Sequence, residues 1–440
     1  MKHILVLGAG LVARPLVHYL LKQPDFTLTV ADIVYEKARE LVSGYKNGDA
    51  MQLSVDDTDL LRQAIQRSDI VISLLPWIHH LKVARICLEK NVDLVTASYV
   101  KPEMRALDGQ VRERKLIFLN EIGVDPGIDH MAAMKIIRSI QDNGGKVMSY
   151  YSYCGGLPAM EHNTNPLGYK FSWSPTGVML AANNPGRYLK DGKIIEIPAD
   201  ELFQHYWLID IPNAGICEAY VNRDALPYME LYNIPDATSM YRGTLRFIGH
   251  CESWDCFKKI GLLDQERRYD FSQLPPSAVI ADLIKSNGSN LWLDVASFLK
   301  IPYYAATLHK MNWLGLFSND LLPLNTCSVF DMFAHILQQK LVFTPGEVDL
   351  LIQHHEFIAQ YPDGKMEKIT STMVDKGIPN GDSSMSRTVS LPAAIATKLI
   401  LNGVITMSGV HIPVLPEIYE PVLAELNELD IKFIHQHRTL

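Results

Sequence analysis

Six residues constrain this chain more than any others. Gly8-Ala9-Gly10-Leu11-Val12-Ala13 follows the β-branched run His3–Leu7 directly and heads a helical stretch, Leu11–Lys22. In that strand–turn–helix setting G-x-G-x-x-A has separable mechanics. Gly8 permits a tight turn, Gly10 lets a phosphate approach the backbone, and the small Ala13 lets helix lie close on strand. The free N–H groups of Leu11, Val12 and Ala13, with the positive end of the helix dipole, would receive the pyrophosphate of a dinucleotide. Pro15 agrees with a helix start, where its missing N–H removes a donor that has no helical partner anyway.

The following hundred residues repeat the strand–helix alternation. Strand-like runs at Thr27–Ala31, Ala50–Val55, Ile70–Leu75, Asp93–Thr96 and Leu116–Leu119 are separated by helical stretches at Tyr35–Val42, Asp59–Gln66, His79–Lys90 and Glu103–Arg114. Runs nearly continuous in Val, Ile and Leu are covered on both faces, which predicts an α/β, doubly wound Rossmann domain over residues 1–124. The second strand ends in Asp32, 22 residues after Gly10, where a carboxylate accepts hydrogen bonds from ribose hydroxyls. That carboxylate repels a 2′-phosphate, and Ile33, Val34 and Tyr35 add no arginine. NAD is therefore expected ahead of NADP, with Lys37 and Arg39 leaving NADP possible. Asp56, expected at the end of the third strand, reaches the adenine side or instead caps the Asp59–Gln66 helix, and Leu74 borders the dinucleotide crevice.

Charge and apolar content narrow the partners. The 440 residues carry 41 basic and 49 acidic side chains, net charge -8, which disfavours a general nucleic-acid binder. No apolar stretch approaches the roughly 18 residues needed to span a bilayer, and the first strand starts at His3, so a cytoplasmic protein without a leader is expected. Six scattered cysteines predict reduced thiols, and Cys251 and Cys256 are too widely spaced for C-x2-C, so no metal is expected.

After Gly123 the texture turns Gly-, Pro- and aromatic-rich without helical period, as in 151–158 and 165–173, and reads as strands and loops of a second domain. Helical period returns at Ala278–Lys285, Trp292–Leu299 and Val329–Gln339. Val342–Tyr361 and Lys365–Val374 read as extended, a Pro-started helix is expected near Leu391–Leu401, and another at Ile418–Glu428.

Polar, glycine and aromatic residues concentrate in Ala97-Ser-Tyr99, Glu121-Ile-Gly-Val-Asp-Pro-Gly-Ile-Asp-His130, Ser152-Tyr-Cys-Gly-Gly-Leu-Pro158, Asn165-Pro-Leu-Gly-Tyr-Lys-Phe-Ser-Trp173, Asn222-Arg-Asp224 and Arg242-Gly-Thr-Leu-Arg246. On these stretches the sequence closely resembles the L-glutamate-forming saccharopine dehydrogenases, from about residue 3 to about residue 425. The resemblance implies a Rossmann domain completed by about 388–440, an α+β substrate and dimerisation domain over 125–387 with a small helical insert at about 270–340, and a homodimer. It also implies oxidation of saccharopine to L-glutamate and 2-aminoadipate 6-semialdehyde: the carbon beside the secondary amine gives hydride to nicotinamide, and the imine is hydrolysed. Asp125, Cys154 and Tyr99 match the family's proton-moving positions, with Asp125 and Cys154 foremost. Arg223 and Arg246 match positions that hold substrate carboxylates, with Thr244 and Leu245 beside them. Ser98, Gly127 and Trp173 match contacts to nicotinamide or substrate, although Trp173 also fits inter-domain packing. Plant and animal members fuse this unit to a lysine–ketoglutarate reductase, so that enzyme is expected on a separate chain. Fungal members use NADP and end the second strand with a basic residue, from which Asp32 departs.

Three rivals stand beside NAD-linked saccharopine breakdown. They are an NADP-dependent saccharopine reductase in lysine biosynthesis, a carboxynorspermidine-type dehydrogenase and an NAD-binding regulatory protein. A polyamine substrate would call for acidic receptors, against the arginine-bearing runs.

Overall fold

The structure, a computed structural model, describes Met1–Leu440 and divides into two compact units. Unit 1 comprises Met1–Val147, Leu231–Ile234 and His355–Leu440; unit 2 comprises Met148–Glu230 and Pro235–His354.

From the N-terminus the chain runs through β1 (Lys2–Leu7), α1 (Ala13–Leu21), β2 (Phe26–Asp32), α2 (Tyr35–Val42), β3 (Gly48–Gln52), α3 (Thr58–Gln66) and β4 (Ile70–Ser73). It continues with α4 (His80–Lys90), β5 (Asp93–Thr96), α5 (Pro102–Arg105), α6 (Asp108–Glu113), β6 (Ile117–Leu119) and α7 (Ile128–Asp142). Next come β7 (Lys146–Pro158), α8 (Pro175–Ala181), β8 (Gly186–Lys190), β9 (Lys193–Ile197), β10 (Tyr206–Ile211), β11 (Gly215–Val221), α9 (Pro227–Leu231) and β12 (Ser239–Arg246). A largely helical stretch follows: α10 (His250–Ile260), β13 (Arg268–Asp270), α11 (Pro276–Leu283), α12 (Leu291–Leu299), α13 (Ala306–Leu314), β14 (Thr326–Ser328) and α14 (Val329–Lys340). The chain ends with β15 (Asp349–Gln360), β16 (Met366–Lys376), α15 (Ser384–Leu401), β17 (Gly409–His411), α16 (Pro416–Glu428) and β18 (Ile434–Thr439).

Unit 1 is built on a seven-stranded sheet in the order β17-β6-β5-β4-β1-β2-β3, every neighbouring pair parallel. The order reverses between β1 and β4, which opens a crevice at their C-terminal ends. Ile4, Val6, Val30, Val71, Ile72 and Val95 are fully buried, as expected of strands covered on both faces. One covering layer includes α1 with α15, an 18-residue helix from the C-terminal return that also meets β4 and β5. The strand-and-helix pattern of residues 1–119 and the α/β class therefore agree with the sequence reading. In unit 2 the strands run β10-β11-β12-β7-β15, with β8 beside β12 and β9 beside β8. This sheet is mixed: β7 and β12 are parallel, while β11 is antiparallel to β10 and β12. No helix of the structure is long and apolar enough to cross a membrane.

Four local expectations change. The single helix expected over Glu103–Arg114 is two, α5 and α6, and the bend lets both grip the backbone of one residue: Arg105 Nη1 donates to Val410 O at 2.6 Å and Val410 N–H donates to Asp108 Oδ1 at 2.7 Å. The stretch after Gly123, read as non-helical, contains the 15-residue α7, which buries Ile128, Met131, Ala132, Ile136, Ile137 and Ile140 on the spacing of a helix face. Pro392 does not start its helix but lies inside α15, which begins at a Ser383 cap whose side chain accepts from Ser386 N–H. The third strand ends at Gln52 rather than Val55.

Gly127 forms the N-terminal boundary of α7 at φ 148°, with a would-be Cβ 2.0 Å from Gly123 O. Gly127→Ala should lower stability by about 3 kcal/mol or more, read as the shift in a urea unfolding midpoint at unchanged slope. A wild-type midpoint would show that the 123–127 turn relaxes freely.

Candidate active site

In unit 1 the glycine turn is tied to both flanking strands. Gly8, at φ 106°, donates its N–H to Ala31 O at 2.8 Å, and a side chain there would meet the Leu74 backbone at 3.2 Å. Leu74 donates its own N–H to Leu7 O at 2.9 Å. Ala9 N–H donates to Asp32 Oδ2 at 2.7 Å and Val34 N–H to Asp32 Oδ1 at 2.9 Å. Asp32 thus fastens the turn to the end of β2, and each oxygen retains lone-pair capacity for a ribose hydroxyl. Val12 precedes α1 without a side-chain cap, but Ala13 N–H, expected to be free for a phosphate, donates to Gly10 O at 3.1 Å because the turn closes on itself. Gly10 and Leu11 are exposed, Leu11 by 69%, and Ile33, Trp77 and Ile78 expose apolar side chains beyond the ends of β2 and β4. These features fit a pyridine dinucleotide. Asp56 is exposed in the loop after β3 and is not the helix cap; Asp57 is, accepting Leu60 N–H at 3.0 Å.

The same end of the sheet carries the proton-moving candidates. Tyr99 O–H donates to Asp125 Oδ1 at 3.1 Å, so two of the three expected groups meet. The segment bearing Asp125 is braced from beneath. Glu121 accepts Val100 N–H at 2.9 Å and pairs through Oε2 with His130 Nε2 at 2.9 Å, while His130 Nδ1 bonds Tyr232 Oη at 2.5 Å. Gly127 N–H donates to the buried Asp129 at 2.6 Å. Ser98 bonds His80 Nε2 at 2.7 Å, a contact that sequence reasoning missed; the signal was a histidine pair opening a helix beside the crevice.

In unit 2 the register gathers the substrate candidates on one sheet face. β12 alternation puts Arg242, Thr244 and Arg246 together, and their opposite numbers are Ser152 and Cys154 on β7 and Tyr220 and Glu218 on β11. Arg246 is 7% exposed and forms no ion pair. Its guanidinium lies 4.9 Å from the Tyr169 ring centroid, Nη1 donates to Leu245 O at 2.8 Å, and Nε has no partner. The Tyr169 hydroxyl is likewise buried without a partner. Glu218, directly across, is committed elsewhere, accepting Gly249 N–H at 2.6 Å and Cys251 N–H at 2.7 Å at the start of α10. A carboxylate ligand would supply what Arg246 lacks. The Leu245 side chain points to the opposite face against Gly155, so toward a ligand it offers backbone only. Arg223 is exposed in the β11–α9 connection at φ 61°. Trp173 is half-buried, its ring against Gly177.

The Asn165–Trp173 segment is clamped by Lys170, which sequence reasoning also missed. Its ammonium is buried, 2.6 Å from both Glu347 oxygens and 2.9 Å from Thr164 Oγ1. Burial would raise the Glu347 carboxyl, but hydrogen bonds from Lys170 and from Thr344 N–H outweigh it and hold the group at about 2. A carboxyl depressed on folding stabilises the protein above its ordinary 4.5, and that contribution is lost as pH falls from there toward 2. Lys170→Met should cost about 3 to 5 kcal/mol by leaving Glu347 unpaired, and should flatten the acid-side dependence of thermal stability in that window. An unchanged melting curve between pH 5 and about 2 would remove the clamp.

Known proteins match nearly the whole chain. Residues 4–119 match a domain described as "Saccharopine dehydrogenase NADP binding domain", and residues 123–431 match "Saccharopine dehydrogenase C-terminal domain". The chain is 37% identical to the Schizosaccharomyces pombe "Saccharopine dehydrogenase [NADP(+), L-glutamate-forming]", over 94% of each protein. It is 36% identical to the mouse mitochondrial "Alpha-aminoadipic semialdehyde synthase", covering 98% of this chain and 47% of that one. The solved apo structure of the Saccharomyces cerevisiae L-Glu-forming saccharopine dehydrogenase matches all of both chains with TM-score 0.90 and 34% identity. The N-terminal domain family is named for NADP and the fungal relatives for NADP(+), so the expectation of NAD ahead of NADP finds no support in them and reduces to a pyridine dinucleotide. With both halves of the chain matched and the whole backbone shared, this protein belongs to the saccharopine dehydrogenase family.

Proposed function

We propose that the chain oxidises saccharopine with a pyridine dinucleotide and releases L-glutamate and 2-aminoadipate 6-semialdehyde, a step of lysine breakdown. The observation that carries the reading is Arg246, a buried cation without a carboxylate on a face shared with Thr244 and Cys154. Saccharopine brings three carboxylates; a polyamine would bring mostly positive charge to a cationic receptor. The fungal relatives are named for glutamate and the animal ones for the semialdehyde, the two products of the oxidative direction.

The bound dinucleotide supplies the hydride acceptor. On unit 1, Asp125 takes the proton of the substrate amine, which must be neutral before hydride leaves, and Tyr99 orients the Asp125 carboxylate, a role supported by their 3.1 Å bond. The imine then takes up water, and collapse of the carbinolamine returns a proton to the departing glutamate nitrogen. On unit 2, Arg246 and Thr244 hold substrate carboxylate, and Cys154 joins them as a proton-moving thiol.

Two dinucleotides fit this reading for different reasons. The relatives' names favour NADP(+). Asp32 favours NAD, because its carboxylate ends β2 without an adjacent arginine and opposes a 2′-phosphate.

Purified protein with saccharopine should reduce one dinucleotide, followed by absorbance. No turnover with either, together with dinucleotide binding, would make the chain a sensor, and turnover with carboxynorspermidine alone would move it to polyamines. Asp32→Ala should weaken use of NAD more than of NADP; equal losses would confine Asp32 to fastening the turn. Arg246→Ala should raise KM for saccharopine ten- to a hundredfold, roughly 1.5 to 3 kcal/mol, and an unchanged KM would make the residue structural.

A further inference from the structure

We propose that His80 is a positioning residue that sets the donor–acceptor polarity of the Ser98 hydroxyl for the ligand in the unit 1 crevice. The proposal rests on the reading of Ser98 as a ligand contact. His80 opens α4, is 5% exposed, and stands between two hydroxyls: Ser73 Oγ at 2.9 Å from Nδ1 and Ser98 Oγ at 2.7 Å from Nε2. Thr96 Oγ1 lies 3.3 Å from Nε2 and accepts Ser98 N–H at 3.3 Å, which fixes the Ser98 backbone against the same ring. Ser73 and Thr96, each 1% exposed, close the strand β4 and β5 ends, whereas Ser98 is half-buried. The line Ser73–His80–Ser98 therefore runs from the core outward to a residue beside Tyr99. His80 also lines a cavity of about 190 Å³ with Trp77, Tyr99, Lys101 and Asn120.

A serine hydroxyl alone is a rotor that donates or accepts as its neighbours dictate. A neutral imidazole has one N–H and one lone pair, so the ring makes opposite demands on its two hydroxyl partners. If the bare Nε2 accepts, Ser98 spends its only proton on the ring and can only accept from a ligand; if Nε2–H donates, Ser98 keeps its proton to donate to the ligand. Burial, with a smaller contribution from His79, lowers the imidazole to about 4, so the ring stays neutral across the physiological range. A charged ring would donate from both nitrogens and change what Ser98 presents. Side chains held by such outer bonds are the ones placed accurately enough for chemistry.

The test is a double-mutant cycle on the full chain. His80→Ala and Ser98→Ala should each lower kcat on saccharopine about ten- to a hundredfold, and the double variant should be no worse than the poorer single one. His80→Gln, whose amide can present either an N–H or a carbonyl oxygen near the place of Nε2, should recover most of the loss. Additive losses, or wild-type kcat in His80→Ala, would overturn the proposal, as would failure of His80→Gln to exceed His80→Ala. An activity-independent measurement separates this from the proposed reaction: imidazole ¹⁵N shifts should report one fixed tautomer of His80, and Ser98→Ala should move them. A protein inactive on saccharopine with that coupling intact would discard the substrate and keep the positioning role. Shifts indifferent to Ser98→Ala would discard the positioning role whatever the activity.

Discussion

One sheet face of unit 2 carries a buried positive charge, Arg246, that no carboxylate of the protein pairs with. Removing a guanidinium from water costs several kcal/mol, and here only the face of Tyr169 and the carbonyl of Leu245 offset it. The obvious counter-ion, Glu218, sits opposite on β11 but is committed to the first N–H groups of α10. His250 beside this cluster is pushed well below its ordinary range by burial, then by Arg246 and Lys310, so it adds no second charge. A carboxylate brought to this face would gain an unpaired, buried donor, where a charged hydrogen bond is strongest.

In unit 1, several polar side chains at the crevice are already bonded to neighbours. Asp32 spends one lone pair on each of two peptide N–H groups, so the phosphate-binding turn is held before any ligand arrives. Glu121, His130 and Tyr232 form a buried chain under the Asp125 segment, and Ser73, His80 and Ser98 form another. Fully bonded networks of this kind fix side-chain directions, which loops at strand ends would otherwise leave variable.

Much of the dinucleotide half was legible in the letters. Residues from Lys2 to Leu119 pair a strong local signal, mostly apolar strands of three to seven residues, with a turn whose chemistry is almost unique to its context. Legibility failed where one segment serves two masters. Glu103–Arg114 has the composition of a helix, yet its break is dictated by Val410, some 300 residues away. Helix α7 was obscured because the residues before it, Asp125-Pro-Gly127, carry strong turn signals. Pro392 misled for the converse reason: proline announces a helix start, but serine caps this one nine residues earlier.

The sequence by itself determined the parallel-sheet class, the phosphate turn, the carboxylate at the end of β2 and, through long shared motifs, the family. These are local properties: periodicity, backbone freedom and residue order over short spans. Only the tertiary structure decided that Thr244 stands opposite Cys154, that Glu218 is spent on a helix terminus rather than on Arg246, and that His80 joins Ser73 to Ser98. Such facts depend on strand register and on burial, which are set by the packing of segments far apart in the chain, and no window along the sequence contains them.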